Sequence, residues 1–311
     1  MKTRIVIALG GNALQKKGEV TAEAQKAVAS QVGELIAKLS DHYEIIVGHG
    51  NGPQVGNILI HEEQAATEAA PAMPLETAVA MSQGQIGYWM VQAINNSFKK
   101  RGKNRKVATI ITQSEVDLKD PAFKNPSKPI GQFYTEKEAL HLAKEKGWIV
   151  REDAGRGWRR IVPSPKPKDI VEKREIAELV SNGTIVVAAG GGGIPVYRTK
   201  ILHLLKGVDA VIDKDFAAEK LAELVHADIF VSVTAVPFAC LNYGTPEEIP
   251  LKNLTVDEAE EYKKSGYFKS GSMLPKVEAC IAFAKKGKTG IICSLENLEE
   301  ALKGKSGTII H

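Results

Sequence analysis

The chain comprises 311 residues, with 41 Lys plus Arg against 37 Asp plus Glu and a formal net charge of +4. So small an imbalance implies no large single-sign surface, which excludes nucleic acid as a default partner. At 43% hydrophobic, 25% charged and 6% aromatic, the composition is that of a globular protein with a sizeable core, neither disordered nor built on disulfides.

The length fits two domains or one large α/β unit carrying an insertion. Cys240, Cys280 and Cys293 are odd in number and widely spaced. They give neither a disulfide framework nor a CxxC metal pair, so a reducing, cytoplasmic setting is expected. The first apolar stretch, residues 5–9, is too short for a secretory signal. No apolar run approaches the roughly 20 residues of a membrane helix, so no membrane partner is expected. The sequons at Asn95, Asn182 and Asn253 are read as chance matches.

Residues 5–9 read as a strand buried on both faces. A helix follows, opened by Thr21 as N-cap, with Val28, Val32, Leu35, Ile36 and Leu39 on one face. Residues 45–47 predict a second buried strand, and residues 74–98 a long helix. On that helix Met81, Tyr88, Trp89 and Met90 are assigned to core or dimer packing. Strands are predicted at 107–112, 185–188, 208–212, 229–235 and 290–293, with helices at 215–225 and 275–284. Strands alternating with helices predict an α/β fold with a mainly parallel central sheet covered on both sides.

Residues 117–168 break this rhythm, carrying Pro121, Pro126, Pro129, Pro163, Pro165 and Pro167. Proline cannot donate to a central ladder, so the segment is expected to stand apart as an inserted lobe. Its second half is basic: Arg151, Arg156, Arg159, Arg160, Lys166 and Lys168 face only Glu152 and Asp153. A solvated charged face and a cover over an anionic substrate both fit that pattern.

The strongest chemical signal is a buried strand delivering the chain into a glycine-rich turn, which occurs three times. The turns are Gly10-Gly11-Asn12, Gly48-His49-Gly50-Asn51-Gly52 and Gly190-Gly191-Gly192-Gly193. In a parallel sheet all three fall at the carboxyl edge, where ligands bind. Glycine lets backbone N–H groups approach an anion closely, and a following helix N-terminus adds favourable potential. The turns therefore point to an anionic, phosphorylated ligand. The familiar nucleotide signatures fail. Val55 stands where GxGxxG needs its last glycine, and the two Gly-Lys-Thr/Ser triplets have Ala282 and Glu299 where a Walker loop needs glycine. His61-Glu62 opens like a zinc-protease helix, but Ala65 replaces the second histidine, and no metal cage is visible.

Lysines beside these turns are the candidates for neutralising a moving phosphate. Lys214 follows the predicted strand at 208–212. Lys276 follows Pro275, expected at the first helical position, and so sits at a positive helix end where the dipole gives it nothing. An anionic partner would explain that placement; a plain surface lysine is the alternative for each.

Ala8-Leu9-Gly10-Gly11-Asn12-Ala13, His49-Gly50-Asn51-Gly52-Pro53-Gln54-Val55-Gly56, Gly190-Gly191-Gly192-Gly193, Val211-Ile212-Asp213-Lys214-Asp215 and Gly271-Ser272-Met273-Leu274-Pro275-Lys276 together resemble the amino acid kinase superfamily. More narrowly, Pro71-Ala72-Met73-Pro74-Leu75, Gln83-Gly84-Gln85-Ile86-Gly87-Tyr88-Trp89, Lys124-Asn125-Pro126-Ser127-Lys128-Pro129-Ile130-Gly131 and the segment 152–167 are similar to the carbamate kinases. The resemblance spans essentially the full length. It implies a three-layer α/β/α sandwich, with residues 1–311 as one amino acid kinase domain. It also implies a homodimer, and Mg-dependent ATP plus carbamate giving ADP plus carbamoyl phosphate, run toward ATP in fermentative arginine breakdown. The lobe, 117–168, would be the protruding subdomain that serves the family as a lid. The N-terminal part would form the carbamate side, residues from about 207 to 311 the nucleotide side, and Lys128 would reach the transferred phosphoryl group.

Carbamate is already an oxyanion nucleophile, so that reaction needs no general base, only positioning and charge stabilisation. The backbone of Gly10, Gly11, Asn12, Gly50, Asn51 and Gly52 is expected to hold carbamate and phosphoryl oxygens, while Lys128, Lys214 and Lys276 spread the charge. Asp215 is expected to orient the lysines, leaving Mg to the nucleotide phosphates and water. Thr234, Tyr243 and Met273 are the adenine-end candidates, with Tyr243 as a turn-packing aromatic the alternative. His49 is expected to make a structural hydrogen bond to loop backbone. A kinase of another small carboxylate such as glutamate, the same reaction run for biosynthesis, and a non-catalytic nucleotide sensor remain competing readings.

Overall fold

The computed structural model describes residues 2–10, 20–153, 155–269 and 271–311. In chain order its elements are β1 (Thr3–Leu9), α1 (Ala22–Leu39), β2 (Tyr43–His49), α2 (Gly52–Ala65), α3 (Leu75–Lys100), β3 (Val107–Thr109) and β4 (Gln113–Val116). The lobe follows with β5 (Lys128–Tyr134), α4 (Glu136–Lys146), β6 (Val150–Glu152) and β7 (Trp158–Val162). Next come β8 (Pro167–Ile170), α5 (Lys173–Ser181), β9 (Ile185–Val187), β10 (Ile194–Arg198), β11 (Leu205–Gly207), α6 (Lys214–Leu224) and β12 (Ile229–Thr234). The chain ends with β13 (Cys240–Leu241), β14 (Ile249–Pro250), β15 (Asn253–Leu254), α7 (Val256–Lys264), α8 (Met273–Ala284), β16 (Thr289–Ser294), α9 (Leu298–Leu302) and β17 (Thr308–Ile310).

The main sheet has eight strands in the order β15-β17-β16-β12-β1-β2-β9-β3, parallel except for the β16–β17 pair. Its central strands are apolar because both faces are covered. Val6, Ala8, Ile46, Phe230 and Ile292 meet Leu221 of α6 and Val277 and Phe283 of α8 on one side. Ile5, Ile7, Ile45, Val47, Val231 and Ile291 meet Val32 and Ile36 of α1 and Ile86, Met90 and Ile94 of α3 on the other. The result is a three-layer α/β/α sandwich. Thr21 caps α1, its hydroxyl accepting from the Ala24 N–H at 3.2 Å. A second sheet runs β11-β10-β4-β8, and β5-β7-β6 of the lobe make a separate antiparallel sheet.

Three expected elements differ. The strand expected at 107–112 stops at Thr109; the Ile110 N–H still bonds the Val187 carbonyl, but Thr112 is held by the Gln83 side chain and by the Ile194 N–H of the second sheet. The Gln83 oxygen accepts from the Thr112 N–H at 2.8 Å, and its amide donates to the Thr112 carbonyl at 3.0 Å. The chain then turns into the second sheet. Helix α8 begins at Met273, so Pro275 is its third residue, where the missing N–H still costs nothing.

The third difference matters more. Residues 208–213 form no strand of either sheet. They are an extended strap whose Val208 N–H bonds the Pro195 carbonyl at 3.1 Å and whose Val211 N–H bonds the Pro163 carbonyl at 3.0 Å. The strap lies flush against the third glycine turn. A Cβ on Gly192, where φ is +90°, would sit 2.2 Å from the Ile212 carbonyl oxygen. Gly192→Ala is expected to lower the unfolding free energy by about 2–4 kcal/mol in urea titration. Gly183→Ala, at φ +78° but facing open space, is expected to cost about 1 kcal/mol. Equal losses would contradict the close approach.

Candidate active site

The strand order reverses direction of travel at β1, with β2 on one side and β12 on the other. A cavity of about 660 Å³ opens at the carboxyl ends of these strands, as expected for a parallel sheet. Gly10, Gly50, Asn51, Gly52, Gly191, Lys128, Asp213, Lys214, Asp215, Thr234, Gly271 and Lys276 all line it.

The turns owe their shape to specific neighbours. His49 is buried, and its Nδ1–H donates to the Gly50 carbonyl at 3.0 Å, since a carbonyl only accepts. Burial pushes its pKa down to about 4 against the pull of that hydrogen bond, so the ring stays neutral and structural. Asn51 is the N-cap of α2, yet its amide is turned away, donating to Ser82 Oγ at 2.8 Å. The first turn of α2 holds no acidic residue and Pro53 has no N–H. The positive end of α2 therefore meets the cavity without an anion of its own.

The centre of the site is Asp215, 2% exposed at the start of α6. Its Oδ2 accepts from Lys214 Nζ at 2.7 Å and from Lys276 Nζ at 2.9 Å, while Oδ1 accepts from Ser232 Oγ at 2.7 Å. Burial alone would raise the Asp215 pKa, but the two ammonium groups outweigh it and hold the carboxyl well below its usual range. Burial lowers the Lys214 pKa against the pull of Asp215; for Lys276 the Asp215 carboxylate overcomes burial and raises it. The trio thus carries one excess positive charge in a desolvated setting, which an incoming anion would neutralise. Lys128 reaches from β5 to Asp213 Oδ2 at 2.9 Å, and Asp213 Oδ1 caps α6 by accepting from the Asp215 N–H at 3.0 Å.

Not every expected contact is made. Tyr243 is 59% exposed in a turn, and Met273, the first residue of α8, rests against the core; neither lines the cavity. Gly11 and Asn12 lie outside the described residues. Of the basic stretch only Arg159 borders the cavity. Arg156 and Arg159 pair with Asp153 and lie over Phe133, Arg160 pairs with Asp209, and Lys166 lies over Phe216. Much of that charge is consumed by contacts inside the protein. Ser232 and Asp213 were not anticipated. Ser232 is the lone polar residue inside the apolar run of β12, and Asp213 is an Asp just before a helix; both signals were present.

The amino acid kinase family model matches residues 3–294. The carbamate kinase of Pyrococcus horikoshii is 54% identical over 315 residues, covering 99% of each chain. Carbamate kinase 1 of Enterococcus faecium is 52% identical over 300 residues, covering 96% of this chain and 95% of its own. The chain belongs to the carbamate kinases of the amino acid kinase family. Within the family, the carbamate kinase of Giardia lamblia solved with AMP-PNP superposes with a TM-score of 0.92 at 44% identity, covering 99% of this chain and 98% of that one.

If Asp215 sustains the charge of both lysines, its loss shows in the pH profile. Asp215→Asn removes an influence that raises the Lys214 pKa, so the alkaline limb of kcat/KM is expected to move to lower pH, with kcat down about 100-fold or more. Lys214→Ala, which leaves the neutral Asp215–Lys276 pair, is expected to lower kcat about 100-fold while KM moves little. An unshifted limb in Asp215→Asn, or an unchanged kcat in Lys214→Ala, would remove the trio from the chemistry.

Proposed function

We propose that this chain catalyses reversible phosphoryl transfer between ATP and carbamate, ATP plus carbamate giving ADP plus carbamoyl phosphate. The observation that carries the reading is the Asp215 carboxylate with the Lys214 and Lys276 ammonium groups on one of its oxygens, at the wall of a cavity rimmed by glycine turns. A migrating phosphoryl group spreads negative charge over three oxygens, and fixed ammonium groups and backbone N–H groups are what such a transition state needs. The acceptor carboxylate is already anionic, so no proton has to be taken from it. Lys214 and Lys276 draw charge from the phosphoryl group. Lys128 approaches from the lobe, and the backbone at Gly10, Gly50, Asn51 and Gly52 holds the oxygens. Gly11 and Asn12 are assigned the same role from the sequence motif.

No cluster of three or more His, Cys, Asp or Glu able to cage a metal occurs among the described residues. Both oxygens of Asp215 are engaged. Mg fits this site as an ion carried by the nucleotide phosphates and water, where it would neutralise phosphate charge. Residues 117–168 are proposed to act as the lid over the carbamoyl-phosphate side, and residues from about 207 the nucleotide side, where Thr234 lines the cavity. A homodimer is part of the same reading, supported by exposed Met81 and Tyr88 on α3 and by Ile201 and Leu202 beyond β10. No described helix is long and apolar enough to cross a membrane; a cytoplasmic enzyme working toward ATP in arginine breakdown is the setting proposed.

The direct test is ATP formation from ADP with carbamoyl phosphate as donor, with and without Mg, and the reverse reaction offered carbamate or glutamate. ATP formation that requires Mg, and use of carbamate but not glutamate, is the expected result. Turnover of glutamate alone, or nucleotide binding without turnover, would contradict the proposal.

A further inference from the structure

The strap at 208–213 faces the lobe with every second residue. Asp209 pairs with Arg160, the Val211 N–H bonds the Pro163 carbonyl at 3.0 Å, and Asp213 Oδ2 accepts from Lys128 Nζ at 2.9 Å. The three lobe positions adjoin one another, since Lys128 pairs with Val162 across β5 and β7 and Arg160 lies two residues before Val162. The strap is therefore a rail beside the start of β5 and the second half of β7, and it runs directly into the first turn of α6. At that junction Asp213 uses its two oxygens for different partners: Oδ1 caps the helix through the Asp215 N–H at 3.0 Å, and Oδ2 holds Lys128.

We propose that Asp213 is a positioning residue for phosphoryl transfer, fixing the Lys128 ammonium over the cavity in register with Lys214 and Lys276. The inference rests on the functional reading above and deepens it. The Lys128 and Asp213 side chains are 35% and 16% exposed. A pair that open to water contributes little stability, so stability does not account for its placement. A free lysine side chain spreads over many rotamers, and ordering it costs conformational entropy. Asp213 meets that cost before substrate arrives, and its own carboxylate is immobilised by the cap. Because the cap belongs to the turn carrying Lys214 and Asp215, the lobe lysine is referenced to the same few atoms as the buried trio. When the phosphoryl anion enters, Lys128 turns from the carboxylate to the phosphoryl oxygens. No covalent step is involved.

Asp213→Asn keeps a capping oxygen and removes the charge that holds Lys128. In the carbamoyl phosphate and ADP assay it is expected to lower kcat about 10- to 100-fold while the KM for ADP moves less than about threefold. Asp213→Ser, which also caps but is too short to reach Lys128, is expected to behave alike and covers the case of a poorly folding Asn variant. The decisive arm is the double-mutant cycle. In a Lys128→Ala background, adding Asp213→Asn is expected to change kcat less than about twofold. An unchanged kcat in both Asp213 variants would overturn the proposal. So would a loss that persists undiminished in the Lys128→Ala background, because Asp213 would then act by a route other than Lys128, such as its charge on Lys214 and Lys276. Wild-type protein without carbamoyl-phosphate-dependent turnover would instead overturn the parent reading, and this one with it.

Discussion

The architecture of the site follows from burying one carboxylate between two ammonium groups. Asp215 is removed from water, which no isolated carboxylate tolerates, and it is stabilised by Lys214, Lys276 and the Ser232 hydroxyl. Lys214 precedes Asp215 directly at the α6 start, whereas Lys276 comes from the first turn of α8 and Ser232 from β12. They converge because parallel strands deliver their carboxyl ends, and the helices that follow begin, at one edge of the sheet. A single carboxylate cannot neutralise two lysines, so the cavity wall retains positive charge. That residue of charge makes the pocket selective for an anion before any substrate-specific contact is considered.

Around this centre, backbone takes the place of side chains. Gly190, Gly191 and Gly192 have no Cβ because His49, Asn51 and Ile212 occupy the space; a Cβ at Gly191 would lie 2.1 Å from Asn51 Nδ2. The glycines are thus packing necessities, and they lock the second and third turns to each other and to the strap. Through the strap the lobe is tied to the sandwich at Arg160, Pro163 and Lys128.

Much of this was legible in the residues themselves. Apolar, β-branched runs marked the central strands, since a sheet covered on both faces leaves no alternation to misread. The three glycine turns fall at the edge where the cavity opens, and the proline-rich stretch holds the separate sheet β5-β7-β6, although its Pro167 lies in β8 of the second sheet. The resemblance supplied Lys128, whose ordinary loop context carries no signal. What the sequence hid was long-range or local to one atom. The run at 208–212 has strand composition, but its N–H groups bond Pro195 and Pro163, partners that no periodicity reveals. Thr112 looks like the continuation of a strand, but its N–H bonds the Gln83 side chain and its carbonyl is shared between that amide and the Ile194 N–H. Tyr243, an adenine-end candidate on its aromaticity, stands in a turn that leaves the ring in solvent. The basic stretch overstated its free charge, since Asp153 within it takes both Arg156 and Arg159, and Asp209, far along the chain on the strap, takes Arg160.

The central claim is that Lys214 and Lys276, held by one carboxylate, act together on one phosphoryl group in flight. A crystal structure with MgADP and trifluoromagnesate, a planar mimic of that group, tests it most directly. Both Nζ atoms are expected within about 3 Å of the mimic, each still bonded to Asp215. A mimic held elsewhere in the cavity, or Asp215 swung away to ligate the metal with its lysines dispersed, would contradict the account.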